Sequence, residues 1–208
     1  MKPHKLAILG ASGHGRVVAD AALESGWAEI QFFDDRFPDA ETGENWPISG
    51  TAATMSERVA EFDGVIVAVG NNQTRLKLHR NLTAGGAPMV SIIHPRAWAS
   101  SRSSVGAGSM IAAGAVVNVG AALGEACIVN TGATVDHDCR LAAGVHIAPG
   151  AHLSGDVEVG EGSWIGVGAS VRQGIRIGAG TMVGAGAVVV SDIADGVTVV
   201  GNPARPAS

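Results

Sequence analysis

The stretch Val105-Gly106-Ala107-Gly108-Ser109-Met110, followed without a break by Ile111-Ala112-Ala113-Gly114-Ala115-Val116, opens a rhythm that runs to Val189. Written in sixes, the chain carries Leu, Ile or Val at fifteen consecutive first positions, from Val105 and Ile111 to Val183 and Val189. The fifth position is mostly small, as at Ser109, Ala115, Cys127, Ala133, Cys139 and Ala169. Glycine crowds the second and fourth positions. A period of six fits neither the 3.6 of a helix nor a simple alternating hairpin. It fits short strands joined by turns, with one aliphatic and one small side chain pointing inward from each face. The glycines supply the positive φ that such turns often require.

The bulk numbers agree with a packed repeat. Of 208 residues, 46% are hydrophobic and 16% charged, which argues against disorder. The 30 glycines follow no collagen period and fall on the lattice. A net charge of -5 supplies no basic stripe for nucleic acid. No apolar run approaches a membrane span, and MKPHKLAILGASGHG leads into a strand-like segment in place of a cleavable signal. Cys127 and Cys139 both occupy fifth positions and read as small core residues of a reduced, cytoplasmic protein. The repeat resembles the hexapeptide-repeat acyltransferases. That resemblance implies a triangular left-handed parallel β-helix, three hexapeptides to a coil of about eighteen residues. Fifteen hexapeptides make about five coils, and Ile93, in the same register, places the start slightly before Val105.

The front of the chain reads differently. Lys5–Leu9 is a buried strand followed at once by Gly10-Ala11-Ser12-Gly13-His14-Gly15 and an amphipathic helix from Arg16 to Ser25. A second strand, 29–33, ends in Asp34-Asp35, and a third, 64–69, ends in Gly70-Asn71-Asn72 before a helix from Gln73 to Thr83. Strand, glycine turn and helix in this order describe a small Rossmann-like parallel sheet. Such a turn lets a diphosphate reach the N–H groups of a helix N-terminus, although the spacing is not G-x-G-x-x-G and a nicotinamide cofactor is a poor fit. Gly10, Ser12, Gly13, His14 and Gly15, with Asp34, Asp35, Asn71 and Asn72 at the strand ends, are therefore the candidate substrate-binding residues. Each has an ordinary structural reading as turn or loop. The boundary falls near Gly86-Ala87-Pro88, giving domains 1–88 and 89–208.

A Rossmann-like front with GASGHG and a hexapeptide back together are similar to the bacterial nucleotide-sugar acetyltransferases of the bacillosamine type and the related sialic acid O-acetyltransferases. The resemblance covers nearly the whole chain. It implies a front domain that binds the nucleotide sugar, and a β-helix that trimerises and binds acetyl-CoA between subunits. Glycine-rich, weakly charged faces also favour a homotrimer over a monomer with bare surfaces.

Polar residues that interrupt the lattice mark the chemistry. His137, between Asp136 and Asp138, lies at a turn position instead of an inward one, and an imidazole beside a carboxylate is a standard base. Asp138 is the expected orienting partner. One coil on, the residue stacked on His137 is Gly155, whose N–H is the oxyanion candidate. The family resemblance implies the same histidine–acid pair, an asparagine seven residues earlier, which is Asn130, and a position near the acyl donor matched by His146. It also implies acetyl-CoA contacts at Val167 and Ala185, which share one edge. The ending Gly201-Asn202-Pro203-Ala204-Arg205 resembles a G-x-P-A-[KR] tail in which Arg205 meets CoA phosphates. Competing readings make His146 a surface histidine and Arg205 a solvated terminus, and give His152 no role. His137, His146 and His152 lack the spacing of a tetrahedral metal site, so no metal is expected.

The implied reaction is acetyl transfer from acetyl-CoA to the 4-amino group of a nucleotide-linked, UDP-type amino sugar. O-acetylation of a sialic acid or another sugar, N-acetylation of a GDP-linked amino sugar, and a non-catalytic nucleotide-sugar scaffold remain open, because one base serves amine and hydroxyl alike.

Overall fold

The computed structural model describes residues 4–39 and 46–207. Three parallel strands, β1 (Lys5–Leu9), β2 (Glu29–Phe33) and β3 (Gly64–Val67), form a sheet in the order β2-β1-β3. Helix α1 (Gly13–Glu24) follows β1, and α3 (Asn72–Ala84) follows β3. A short α2 (Ala52–Glu57) precedes β3. It was not expected, because six residues carry too little periodicity to stand out. Both long helices begin earlier than their apolar pattern: α1 starts at Gly13 within the glycine turn, and α3 at Asn72.

From Ile92 the chain winds into a left-handed parallel β-helix. Two-residue strands stack into three faces, and the pairing registers are uniform: Ile128 lies on His146, Thr134 on His152, and Arg140 on Glu158. The first face runs from Ile92–Ile93 through Met110, Ile128, His146, Trp164 and Met182 to the tail; the second runs from Trp98–Ala99 to Val188–Val189; the third runs from Ser104–Val105 to Arg176–Ile177. The stack makes about six turns against the five expected. The extra turn comes from 92–104, which lacks the glycine rhythm and so escaped the count.

The lattice explains the core. First-position residues such as Val117, Val135, Ile147 and Ile165 are fully buried, and so are the small fifth-position residues between them. Cys127 and Cys139 belong to this set as free, buried thiols. Where the fifth position is polar it is satisfied locally. Ser109 and Ser163 hydroxyls donate to Gly124 O and Gly178 O at 3.3 and 2.7 Å, and the two thiols donate to the equivalent carbonyls of Ala142 and Ser154. The fourth position is the left-handed corner, filled by glycine except at Ala126, Asp138 and Asp156, with φ of 53, 62 and 58°.

The two domains meet along the first face. Helix α1 lays Val18, Ala19, Ala21 and Ala22 on the outward side chains Ile92, Met110 and Ile128. Helix α3 instead follows the corner between the third and first faces. His79 lies over Gly108, Leu76 over Gly144, and Asn72 reaches Gly162. About two turns of α3 thus run alongside four successive corners, with the tilt and length of the side chains making up the difference between the helical rise and the coil spacing.

Truncating an inward aliphatic residue should cost far more than trimming an exposed one. Ile147→Ala is expected to lower stability by about 2–5 kcal/mol. Arg172→Ala, on the surface, should stay within about 0.5 kcal/mol. Urea unfolding followed by circular dichroism checks both.

Candidate active site

His137 and Asp138 lie at the corner between the second and third faces, where the chain leaves Thr134–Val135 and enters Arg140–Leu141. Asp138 takes the left-handed conformation that glycine holds at most corners, and its side chain folds back to His137. The Nδ1–H of His137 donates to Asp138 Oδ2 at 2.9 Å, which leaves Nε2 with its lone pair. Gly120, one coil below, leaves room for the Asp138 carboxylate, since a β-carbon there would strike Oδ1. Asp136 fixes the corner from the other side: its Oδ1 accepts the His137 N–H and the Asn118 amide, each at 2.8 Å. His137 is 57% exposed. The hydrogen bond that Asp138 accepts from it, aided by the nearby charges of Asp136 and Asp156, raises the pKa of His137 above the ordinary 6.5.

Gly155 stands directly against this imidazole. A β-carbon at 155 would collide with Cε1 and Nε2 of His137, so a side chain there would push the imidazole out of this position. Its carbonyl accepts from Gly174 N at 3.0 Å, while its N–H takes no backbone acceptor among the described residues. A basic nitrogen and an open backbone donor thus sit side by side, as acyl transfer requires.

A second cluster gathers on the first face and at its corner with the second. His146 is only 4% exposed, so the surface reading fails: the front domain covers it, and its ring packs on Trp164 at a centroid distance of 4.0 Å. Asn130 Oδ1 accepts the Thr131 N–H at 2.8 Å, which turns its amide nitrogen toward His146 Nε2 at 3.1 Å. Nε2 is therefore the acceptor and Nδ1 carries the proton, buried and without a partner among the described residues. Burial, then the charge of Arg75, pushes His146 down to about 3. His14, in the glycine turn, is pushed down to about 4 by the same two causes. Val167 and Ala185 occupy exposed tips of the corner that begins at Asn130. Arg205 is exposed in a terminal strand that pairs antiparallel with 198–200. His152 is exposed and shares a 3.0 Å hydrogen bond with Thr134 Oγ1.

The front-domain candidates divide. Gly10 (φ 113°) must be glycine because a β-carbon would meet the Ala68 carbonyl, and Gly15 must be glycine because one would strike Gly10 O. Gly13 faces open space. Ser12 caps no N–H of α1 with its side chain, so the first-turn donors are not closed off by it. Asp34 Oδ2 accepts the Ala11 N–H at 2.9 Å and pairs with Arg36 at 2.8 Å, which holds its pKa well below the carboxylate range. Asp35 accepts the Ala52 N–H, and Asn71 caps α3 through the Thr74 N–H. Asn72 is buried, with its amide spent on Gly162 O and Ser163 O.

Sequence reasoning missed Arg36, Arg75, Asn118 and Trp164. Asn118 lies one coil below Asp136 and Trp164 one coil above His146, so stacking along the lattice would have found both. Nothing in the helical pattern marks Arg75 as buried. Among the described residues no group of three His, Cys, Asp or Glu side chains could hold a metal. No described helix is long and apolar enough to cross a membrane.

Residues 5–82 match the model of the PglD N-terminal domain, and 156–191 that of the bacterial transferase hexapeptide (six repeats). The acetyltransferase domain of PglB from Neisseria gonorrhoeae, solved with acetyl coenzyme A, is 47% identical, with a TM-score of 0.94 over 98% of this chain and 99% of that one. The chain belongs to the hexapeptide-repeat nucleotide-sugar acetyltransferases. A variant of GDP-perosamine N-acetyltransferase from Caulobacter crescentus, solved with CoA and GDP-perosamine, is 37% identical with a TM-score of 0.93, over 98% and 97% of the two chains. UDP-N-acetylbacillosamine N-acetyltransferase of Bacillus subtilis is 40% identical over 112 residues; that match spans 52% of this chain and about half (51%) of the relative's length.

Desolvation, which also lowers the pKa of the buried His79, makes stability depend on pH through the half-buried His14 and the buried His146. Their folded values, about 4 and 3, lie below the ordinary 6.5. Between 6.5 and those values the unfolded chain binds protons that the folded chain refuses, so stability falls as pH is lowered through that window and is fully present above it. Thermal unfolding from pH 8 to 4 should show a melting temperature that declines below about 6.5. His146→Gln should flatten that decline.

Proposed function

We propose that the protein transfers the acetyl group of acetyl-CoA to the 4-amino group of a UDP-linked amino-deoxy sugar. The observation that carries this reading is the juxtaposition of His137 Nε2 and Gly155 at one corner, with Asp138 fixing the imidazole tautomer. The free amine attacks the thioester carbonyl and His137 Nε2 accepts its proton. The oxygen gains negative charge and is met by the Gly155 N–H. The tetrahedral intermediate then collapses, expelling the CoA thiolate, which takes up a proton. The sugar nucleotide lies on the front domain, its diphosphate at the glycine turn and first turn of α1, with Asp34, Asp35 and Asn71 along the strand ends.

A monomer does not complete this machinery. Asn130, His146, Val167 and Ala185 belong to the first face and its corner with the second, while His137 and Gly155 lie at the far end of the second face. Six residue steps separate Thr131 from His137, on the order of 15–20 Å. The outer side of the second face and its corners carry exposed Trp98, Val119 and Val167. Packing three copies over such surfaces would cover them and bring His137 of one subunit to the acyl-donor groups of the next.

The test is a thiol-release assay with acetyl-CoA and a panel of UDP-, GDP- and CMP-linked amino sugars, with product mass analysis. Turnover with a UDP-linked 4-amino sugar is expected, and His137→Ala should lower kcat by about a hundredfold or more with KM for the sugar little changed. Preference for a GDP-linked sugar, or acetylation of a hydroxyl, would replace the substrate assignment. Unchanged turnover by His137→Ala would remove the mechanism.

A further inference from the structure

Arg75 is a fully buried cation, 1% exposed, and among the described residues none of its hydrogen bonds goes to a carboxylate. Burying such a charge is costly unless every donor finds a partner. Here they do. Nε donates to Ala126 O at 2.9 Å, Nη1 to Val69 O and Gly70 O at 3.1 and 3.2 Å, and Nη2 to Asn72 Oδ1 and Gly144 O at 3.0 and 2.8 Å.

The acceptors follow a pattern. Ala126 and Gly144 hold the same corner position one coil apart, and both adopt the left-handed conformation there. Asn72 continues the line to Gly162 O at 3.1 Å, the same position in the next coil. Arg75 and Asn72 together therefore grip three successive coils at one corner. The other end of the grip, Val69-Gly70, leaves the carboxyl end of β3 beside the glycine turn: a β-carbon on Gly10 would meet the Ala68 carbonyl and, at 3.3 Å, Val69 Cγ2. A planar fork suits this task and a lysine does not.

We propose that Arg75 is a positioning residue for acyl transfer, locking the glycine turn of the front domain to three coils of the β-helix and holding His146 in the form that accepts from Asn130. The proposal rests on the function proposed above. The titratable groups that bear on His146 are Arg75 from α3 and His14 from α1. Arg75 bears likewise on His14, and Cys127 is the titratable group that bears on Arg75 itself. A proton on His146 Nε2 would set two donors against each other at the Asn130 contact, and the fixed charge of Arg75 opposes it.

Two variants separate charge from fork. Arg75→Lys keeps the cation and loses the fork; Arg75→Met loses both. Wild-type turnover is established first on the amino-sugar panel, so that failure of the functional assignment shows itself before either variant is read. Kinetic constants are taken per folded molecule, and His146 titration is followed by imidazole nitrogen resonances in the intact protein. In Arg75→Lys we expect a rise in KM for the sugar nucleotide of about tenfold or more, with KM for acetyl-CoA less affected and His146 still neutral at pH 6. In Arg75→Met the same KM change is expected, with His146 titrating upward toward its ordinary range. If the methionine variant does not fold, the lysine variant decides. Unchanged KM for the sugar nucleotide in Arg75→Lys, or a loss of activity that only tracks the folded fraction, overturns the proposal.

Discussion

The parallel ladder of the β-helix imposes one constraint from which most of this molecule follows: equivalent residues lie one upon another, coil after coil. An inward position is then inward in every coil, which is why aliphatic and small residues alternate so strictly along the chain. A corner is a corner in every coil, which is why the left-handed residue recurs at Gly108, Gly144 and Gly162. The candidate site is marked by departures from that regularity. Asp138 and Asp156 take left-handed corners without being glycine, and Gly155 is glycine where an imidazole presses on it from the coil below.

The same stacking organises the contact between domains. The outward column of the first face changes character along its length. Ile92, Met110 and Ile128 are covered by α1, His146 lies at the edge of that cover against Trp164, and Met182 is exposed beyond it. His146 is buried because the column carries it under the front domain, and it is neutral because burial and Arg75 act in the same direction. His137, at an uncovered corner, has the opposite shift, since a carboxylate partner outweighs its slight desolvation. Two histidines of one repeat thus acquire contrasting acid–base properties from their places on the prism.

Much of this was legible in the residues. The lattice exposed the β-helix, the buried cysteines, the non-core character of His137 and the neighbour Gly155, because each depends only on position modulo the repeat. The strands and glycine turn of the front domain were legible as continuous apolar runs ending in Gly10 and Gly70. What lay hidden depended on contacts between distant segments. Arg75 sits in a helix whose pattern says nothing of the carbonyls it meets, Asp34 is bound to Arg36 and Ala11 by a loop closure, and the burial of His146 requires knowing where α1 lands. The first coil was legible only through Ile93, in register: 92–104 keeps the fold without the glycines that announce it.

The proposed acyl-transfer machinery is divided between two corners of each chain and united across an interface between copies. Subunit mixing tests it most directly. His137→Ala and His146→Ala chains, each purified as a poorly active protein, are unfolded together, refolded, and the mixed assemblies isolated through different affinity tags. Mixed assemblies are expected to recover acetyltransferase activity, because an interface that joins His137 of one chain to His146 of the other is intact. Mixed assemblies no more active than either parent would contradict this division and return the whole site to a single chain.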